Sequence, residues 1–93
     1  PSERRSAEST MTVTLRYFAA AAAAAGRDEE QLTLPAPLTV ADALTEAARR
    51  YGSEFERVLA RCSFLRNTVA VRELSTPLAD GDAVDLLPPF AGG

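Results

Sequence analysis

The segment LTVADALTEAARRYG, residues 38–52, restricts the folding options of this chain more than any other stretch. Thr39 is a good helix N-cap, and Asp42 three residues on makes a shorter-armed relative of the capping box. Val40, Ala43, Leu44, Ala47, Ala48 and Tyr51 recur at helical spacing, and Gly52 supplies a stop. One such helix has one apolar stripe to bury. With 93 residues and 46% hydrophobic content, the chain has material for a single core. The flanking segments must therefore provide the surface that covers the stripe.

Those segments change period from helical to alternating. In TVTLRYF, Val13, Leu15 and Tyr17 share one face, while Thr14, Arg16 and Phe18 share the other, which leaves Phe18 as an aromatic on the polar side. Ala19 to Ala25 predicts a short helix that leans on the sheet, closed by Gly26. RDEE is expected to turn the chain, with Asp28, Glu29 and Glu30 as a solvated loop. Gln31 to Pro35 then predicts a strand with Leu32 and Leu34 inward, ended by Pro35 and Pro37. After Gly52, Ser53 with Glu56 reads as a full capping box opening a brief helix over 54–60, in which Phe55, Val58 and Leu59 form an apolar stripe. CSFL and VAV within residues 62–72 are strand-prone, and RNT between them fits a hairpin turn or a bulge. Asp80-Gly81 is a turn signal before a last strand. There Val84 and Leu86 alternate with Asp85 and Leu87, and Leu87 is again apolar on the polar face. One main helix across a mixed sheet of four to five strands is the economical arrangement, an α+β fold of β-grasp, ubiquitin-like architecture.

Charge and residue inventory exclude several function classes. The net charge is -3, and Arg4-Arg5 and Arg49-Arg50 are the only basic pairs, so no electrostatic footprint for nucleic acid or an anionic membrane is present. Histidine is absent and cysteine occurs once, which removes an internal disulfide, the commonest metal ligand and the commonest general base. Asp80, Asp82 and Asp85 form no full ligand set and read as turn chemistry plus a solvated face, so no metal site is expected. Cys62 reads as an inert core residue. Residues 1–10 have no periodicity and are expected to form a disordered leader, with the domain over 11–87. Thr12, Thr14 and Arg16 interrupt what would be the apolar part of an export signal, so a cytoplasmic location is expected. The chain also contains no lysine, so its side chains offer no amine to an activated acyl group.

The chain closes on LLPPFAGG. Pro88 and Pro89 lack backbone donors and fix φ near the polyproline value, so residues 88–93 are expected to leave the sheet as an extended tail.

The stretches TVTLRYFAAAAAAAG, LTVADALTEAARRYG and PLADGDAVDLLPPFAGG, with the spacing between them, resemble the MoaD-type small subunit of molybdopterin synthase, in the MoaD/ThiS group of ubiquitin-like sulfur carriers. The match runs from about Met11 to Gly93, and its most specific parts are the Asp80-Gly81-Asp82 turn and the Pro-Pro-x-x-Gly-Gly terminus. Two departures concern partner choice. The opening helix has only alanine where such proteins usually carry an Arg-Glu pair, and Arg72 stands where an asparagine usually follows the Ala-Val pair.

The resemblance implies chemistry on the main chain. The carboxylate of Gly93, presented with Gly92, would be adenylated by an E1-like adenylyltransferase of MoeB type that uses ATP, and then converted to a thiocarboxylate. The tail would enter the large synthase subunit, MoaE-type, and give its sulfur to cyclic pyranopterin monophosphate. On this reading the chain is not an enzyme on its own, holds no permanent cofactor, and leaves catalytic side chains to the large subunit. Phe18, Leu74 and Leu87 would form a docking patch on the sheet face away from the helix, continued by Pro88, Pro89, Phe90 and Ala91. The competing readings are a sulfur carrier for thiamine thiazole or cysteine synthesis, a ubiquitin-like protein modifier joined through Gly93, and an inert interaction module.

Overall fold

A computed structural model describes residues 9–89. Most of the expected leader, and Phe90, Ala91, Gly92 and Gly93 of the expected tail, lie outside the described residues. The elements run β1 (Thr10–Tyr17), α1 (Ala20–Ala25), β2 (Glu29–Pro35), β3 (Leu38–Thr39), α2 (Val40–Tyr51), α3 (Ser53–Leu59), β4 (Ser63–Arg66), β5 (Val69–Ala70), β6 (Pro77–Leu78) and β7 (Ala83–Leu87).

A five-stranded sheet has the order β2-β1-β7-β4-β5. Its centre is the parallel pair of the first and last strands, with Thr14 opposite Ala83 and Tyr17 opposite Leu86. Every other pairing in the sheet is antiparallel. A parallel pair requires a crossover, and the crossover carries α2 over one face. This is the β-grasp arrangement that the pattern predicts.

The alternation in β1 holds residue by residue. Val13 and Leu15 are fully buried and Tyr17 nearly so, while Arg16 and Phe18 are exposed. Leu32 of β2 and Val84 and Leu86 of β7 join them from the neighbouring strands, and Val40, Ala43, Leu44 and Ala47 of α2 close the core from above. The small residues on the helix stripe let α2 approach the sheet closely. Phe55 of α3 fills the end of this core and is completely buried, which contributes about 1.5–3 kcal/mol. It packs edge-on against Tyr17, with ring centroids 5.6 Å apart.

Both expected starts of helices can be checked at their caps. At Thr39 the reciprocal capping box is present: Asp42 donates its N–H to Thr39 Oγ1, and Asp42 Oδ2 accepts from the Thr39 N–H. At Ser53 the expected capping box is absent. Gly52 alone links α2 to α3, so Ser53 is already inside the helix and Gly52, at φ 91°, takes the cap position. The Ser53 side chain is one residue too late to cap.

Two other expectations are corrected. Glu29 and Glu30 belong to β2, not to a solvated loop, because the β1–β2 pairing extends to Arg16 opposite Glu29. Asp82 and Asp85 are both buried rather than solvated. Asp82 is held by its hydrogen bonds and Asp85 by its place in the central strand. Two short segments, Leu38–Thr39 and Pro77–Leu78, pair as a separate two-stranded sheet that lacks any alternation long enough to be read beforehand. The RNT segment is a hairpin turn, with Asn67 at φ 49° and Thr68 at φ 72° between the paired residues Arg66 and Val69.

Candidate functional site

The outer face of the sheet, away from α2, is assembled by the pairing registers. Arg16 of β1 lies opposite Asp85 of β7, and Asp85 lies opposite Leu65 of β4. One row further, Leu87 lies opposite Ser63. Phe18 directly follows β1 and Leu87 closes β7, so both stand at the end of the sheet where Tyr17 lies opposite Leu86. Two of the expected docking residues therefore lie at the end of the sheet where β7 passes into Pro88 and Pro89.

Phe18 is held outward by the backbone that follows it. Ala19 adopts φ 52° and ψ -124°, an arrangement that a residue with a Cβ rarely takes. It turns the chain sharply from β1 into α1, whose first turn donates to Phe18: the Ala21 N–H gives a hydrogen bond to the Phe18 carbonyl at 3.0 Å. Arg16 steadies the ring from the other side. Its guanidinium lies 5.6 Å from the Phe18 ring centroid and its Nε lies 3.6 Å from Asp85 Oδ1. Phe18 is 36% exposed, and Pro89, the last residue described, is exposed as well.

Behind this row a buried carboxylate locks the same end of the sheet to the helix. Glu30 Oε2 accepts from Tyr17 Oη at 2.7 Å, and Glu30 Oε1 accepts from Tyr51 Oη at 2.6 Å. Arg27 adds a hydrogen bond to Oε1 at 3.2 Å. Burial, followed by the hydrogen bond to Glu30, pushes the Tyr17 hydroxyl far above the usual tyrosine range, and the Tyr51 hydroxyl moves the same way for the same causes. Glu30 was missed because a lone acid after RDE looks like a loop residue. Its alternation with Leu32 was the available signal.

The far end of the sheet is pinned by Asp82. Its carboxylate accepts from the Ala79 N–H at 2.8 Å, from Arg66 Nε at 2.8 Å and from Asn67 Nδ2 at 2.9 Å. Burial alone would raise this carboxyl; the three donors outweigh it and hold the group below its usual range. Asp80 Oδ1 accepts from the Thr12 N–H at 2.7 Å, so the Asp-Gly-Asp turn ties β7 to both β1 and the β4–β5 hairpin. Among the described residues no group of acids, cysteine or histidine could hold a metal ion.

Leu74 does not join the row. It is 45% exposed, but its carbonyl accepts from the Ala41 N–H at 2.9 Å, which fastens it beside the first turn of α2. It lines an open groove of about 610 Å³ on the helix side, with Leu44, Leu59, Cys62 and Phe64. Cys62 is half-buried there, its thiol donates to the Val58 carbonyl, and burial pushes that thiol up. Pro88 and Pro89 follow β7 directly, the first partly buried and the second exposed, whereas Phe90, Ala91, Gly92 and Gly93 lie outside the described residues.

Residues 15–93 match the ThiS family. No curated protein matches the chain significantly. Among solved structures, SAMP1 from Haloferax volcanii is 28% identical with a TM-score of 0.78, covering 88% of this chain and 99% of its own. A molybdopterin converting factor subunit 1 from Pyrococcus furiosus is 30% identical with a TM-score of 0.77, covering 86% of this chain and 99% of its own. The complex of subunits 1 and 2 of the molybdopterin-converting factor from Helicobacter pylori also matches, at 29% identity and a TM-score of 0.61, covering 89% of this chain and 100% of that one.

Proposed function

Because this chain belongs to the ThiS family, whose match spans residues 15–93, we propose that it carries sulfur on its C-terminal glycine for molybdopterin synthesis. The observation that carries the reading is the family match over residues 15–93, which takes in Gly92-Gly93, and exposed Phe18 and partly buried Leu87 stand at the end of the sheet that leads into Pro88 and Pro89. A partner that grips this end of the sheet is placed to receive whatever follows Pro89. The likeness to subunit 1 of molybdopterin-converting factors, one of them in complex with its subunit 2, supports a large synthase subunit as that partner.

The chemistry uses the main chain. An activating enzyme of MoeB type joins the Gly93 carboxylate to AMP, releasing pyrophosphate from ATP, which turns a poor electrophile into a good one. A sulfur donor then displaces AMP and leaves a thiocarboxylate. In the large subunit that sulfur attacks a side-chain carbon of the pyranopterin and displaces the oxygen bonded there, and hydrolysis of the acyl link returns Gly93 to a carboxylate while the sulfur stays on the pterin. This chain supplies no catalytic side chain. Its parts are the Gly92-Gly93 stem, which a tunnel can admit, and the docking row, which orders that stem on binding. The reading places the protein in the cytoplasm with ATP and a reducing sulfur supply. No helix among the described residues is long and apolar enough to cross a membrane.

Reconstitution with activating enzyme, ATP, sulfur donor, large subunit and pyranopterin precursor tests the reading. Intact mass should show an oxygen-to-sulfur exchange at the terminus, and an alanine appended after Gly93 should abolish product while the fold persists. Product formation by the untrimmed, extended chain would overturn it. A second reading, a protein modifier, is favoured by the likeness to small archaeal modifier protein 1. Amide adducts on target lysines in the same assay would select it.

A further inference from the structure

The edge of a sheet carries backbone groups with no strand to take them, and this molecule has one long edge. Among the described residues β2 pairs with β1 alone and closes the five-stranded sheet over seven residues, whereas β5 on the opposite edge has two. The phase of the β1–β2 ladder is fixed at both ends. The Tyr17 N–H donates to the Asp28 carbonyl at 2.7 Å, and the Ala36 N–H donates to the Ser9 carbonyl at 2.9 Å. Glu30, Leu32 and Leu34 are in step with these bonds and exchange their own with β1. Glu29, Gln31 and Thr33 therefore turn their N–H and C=O groups away from the sheet, and no hydrogen bond among the described residues reaches those backbone groups.

Edge strands are commonly blunted by charge or proline. Here Glu29 and Pro35 stand at the two ends of β2, and Gln31 and Thr33 between them are exposed and uncharged. The Thr33 side chain is drawn back towards β1, its hydroxyl 2.9 Å from that of Thr12, which leaves the edge uncovered there.

We propose that β2 is a self-association edge, on which a second copy of the chain pairs antiparallel through residues 29–33 and joins the two five-stranded sheets into one. A second copy is the occupant because the edge is complementary to itself. With a twofold axis at Gln31, Glu29 faces Thr33 of the other copy, Gln31 faces its counterpart, and Thr33 faces Glu29. Every outward N–H then meets a carbonyl, while Pro35, which has no N–H to give, stays outside the ladder. No acid faces an acid across the joint, and the two glutamine amides each donate and accept at the axis. On the inner face Leu32 comes opposite Glu30, whose carboxylate is already satisfied by Tyr17 and Tyr51. The inference goes beyond the sulfur-carrier reading and leaves room for it. Because β7 is parallel to β1, antiparallel β2 strands send the two β7 strands in opposite directions, and each copy's Pro88 lies at its own end of the joined sheet.

The test is sedimentation velocity of the full chain over a range of concentrations, together with amide hydrogen exchange, for the wild type, T33P, Q31E, Q31K and an equimolar mixture of the last two. The wild type should pass from monomer to dimer as concentration rises, and more readily at high salt, because a net charge of -3 on each copy opposes the contact. Exchange at the Glu29, Gln31 and Thr33 amides should slow over the same range. T33P removes an N–H that takes no part in the fold, so it should stay folded and monomeric. Q31E and Q31K each set like charges on the axis and should dimerise several-fold more weakly at low salt, while their mixture should regain wild-type association. A wild type that is monomeric at every concentration overturns the proposal, as does a dimer that persists unchanged in T33P and in both charge variants. If T33P fails to fold, the charge variants decide: a mixture no more associated than its components would overturn the pairing at Gln31.

Discussion

Tyr51, the last residue of the main helix, donates a 2.6 Å hydrogen bond to Glu30, which lies on the edge strand β2. The bond closes a loop of contacts between parts of the chain far apart in sequence, because Tyr17 donates to the same carboxylate from β1. Tyr51→Phe keeps the ring packing on Phe55 and deletes only the donor. The expected cost is about 1–3 kcal/mol, since a buried carboxylate loses a partner, read as a lower urea midpoint with an unchanged slope.

Alkaline titration reports on the same cluster without mutation. The chain has two tyrosines, Tyr17 and Tyr51, and both hydroxyls are raised in the folded state. A raised folded value means that the native protein keeps its protons more tightly than the unfolded chain does. That stabilisation is complete below about pH 10, the unfolded tyrosine value, and declines as pH climbs beyond it. Tyrosinate absorbance should therefore appear together with loss of the far-UV signal. Absorbance from both tyrosines in a chain that stays folded would contradict the burial of Tyr17.

At acid pH the sensitive group is Asp82, whose folded value is lowered by its donors. Its contribution is present above the ordinary carboxylate range, about pH 4, and is lost as pH falls through the lower folded value. Asp82→Asn should be less stable than wild type at pH 7, with the gap closing below about pH 4. Thermal melts of both proteins across that range check the convergence.

Ala19 holds a left-handed φ of 52° with a side chain that gains nothing from it. Glycine takes this conformation freely and is also an acceptable N-cap for α1. Ala19→Gly should stabilise the fold by about 1 kcal/mol, the relieved strain exceeding the added entropy of glycine in the unfolded chain. A lower melting temperature would show that the turn is not strained.

Much of this structure was legible in local pattern. The stripe from Val40 to Tyr51, its Thr39 cap, the alternation of β1 and the Asp80-Gly81 turn are short-range signals, and each appears where the pattern puts it. What stayed hidden depends on partners distant in sequence. Glu30 is buried only because Tyr17 and Tyr51 arrive to satisfy it. Leu38–Thr39 becomes a strand only because Pro77–Leu78 lies beside it. For the candidate site, alternation was enough to bring Phe18 and Leu87 to one face. Leu74 has no strand around it to give it a face, and a backbone bond to α2 sends it to the other side.

The parallel pairing of β1 with β7 also bears on how such a protein comes off the ribosome. The strand that completes the middle of the sheet is made after all the others, so a nascent chain broken off before residue 83 has two half-sheets and nothing to join them. Folding thus acts as an inspection step: any copy that has become a stable globule has already synthesised β7, the strand that joins its two halves.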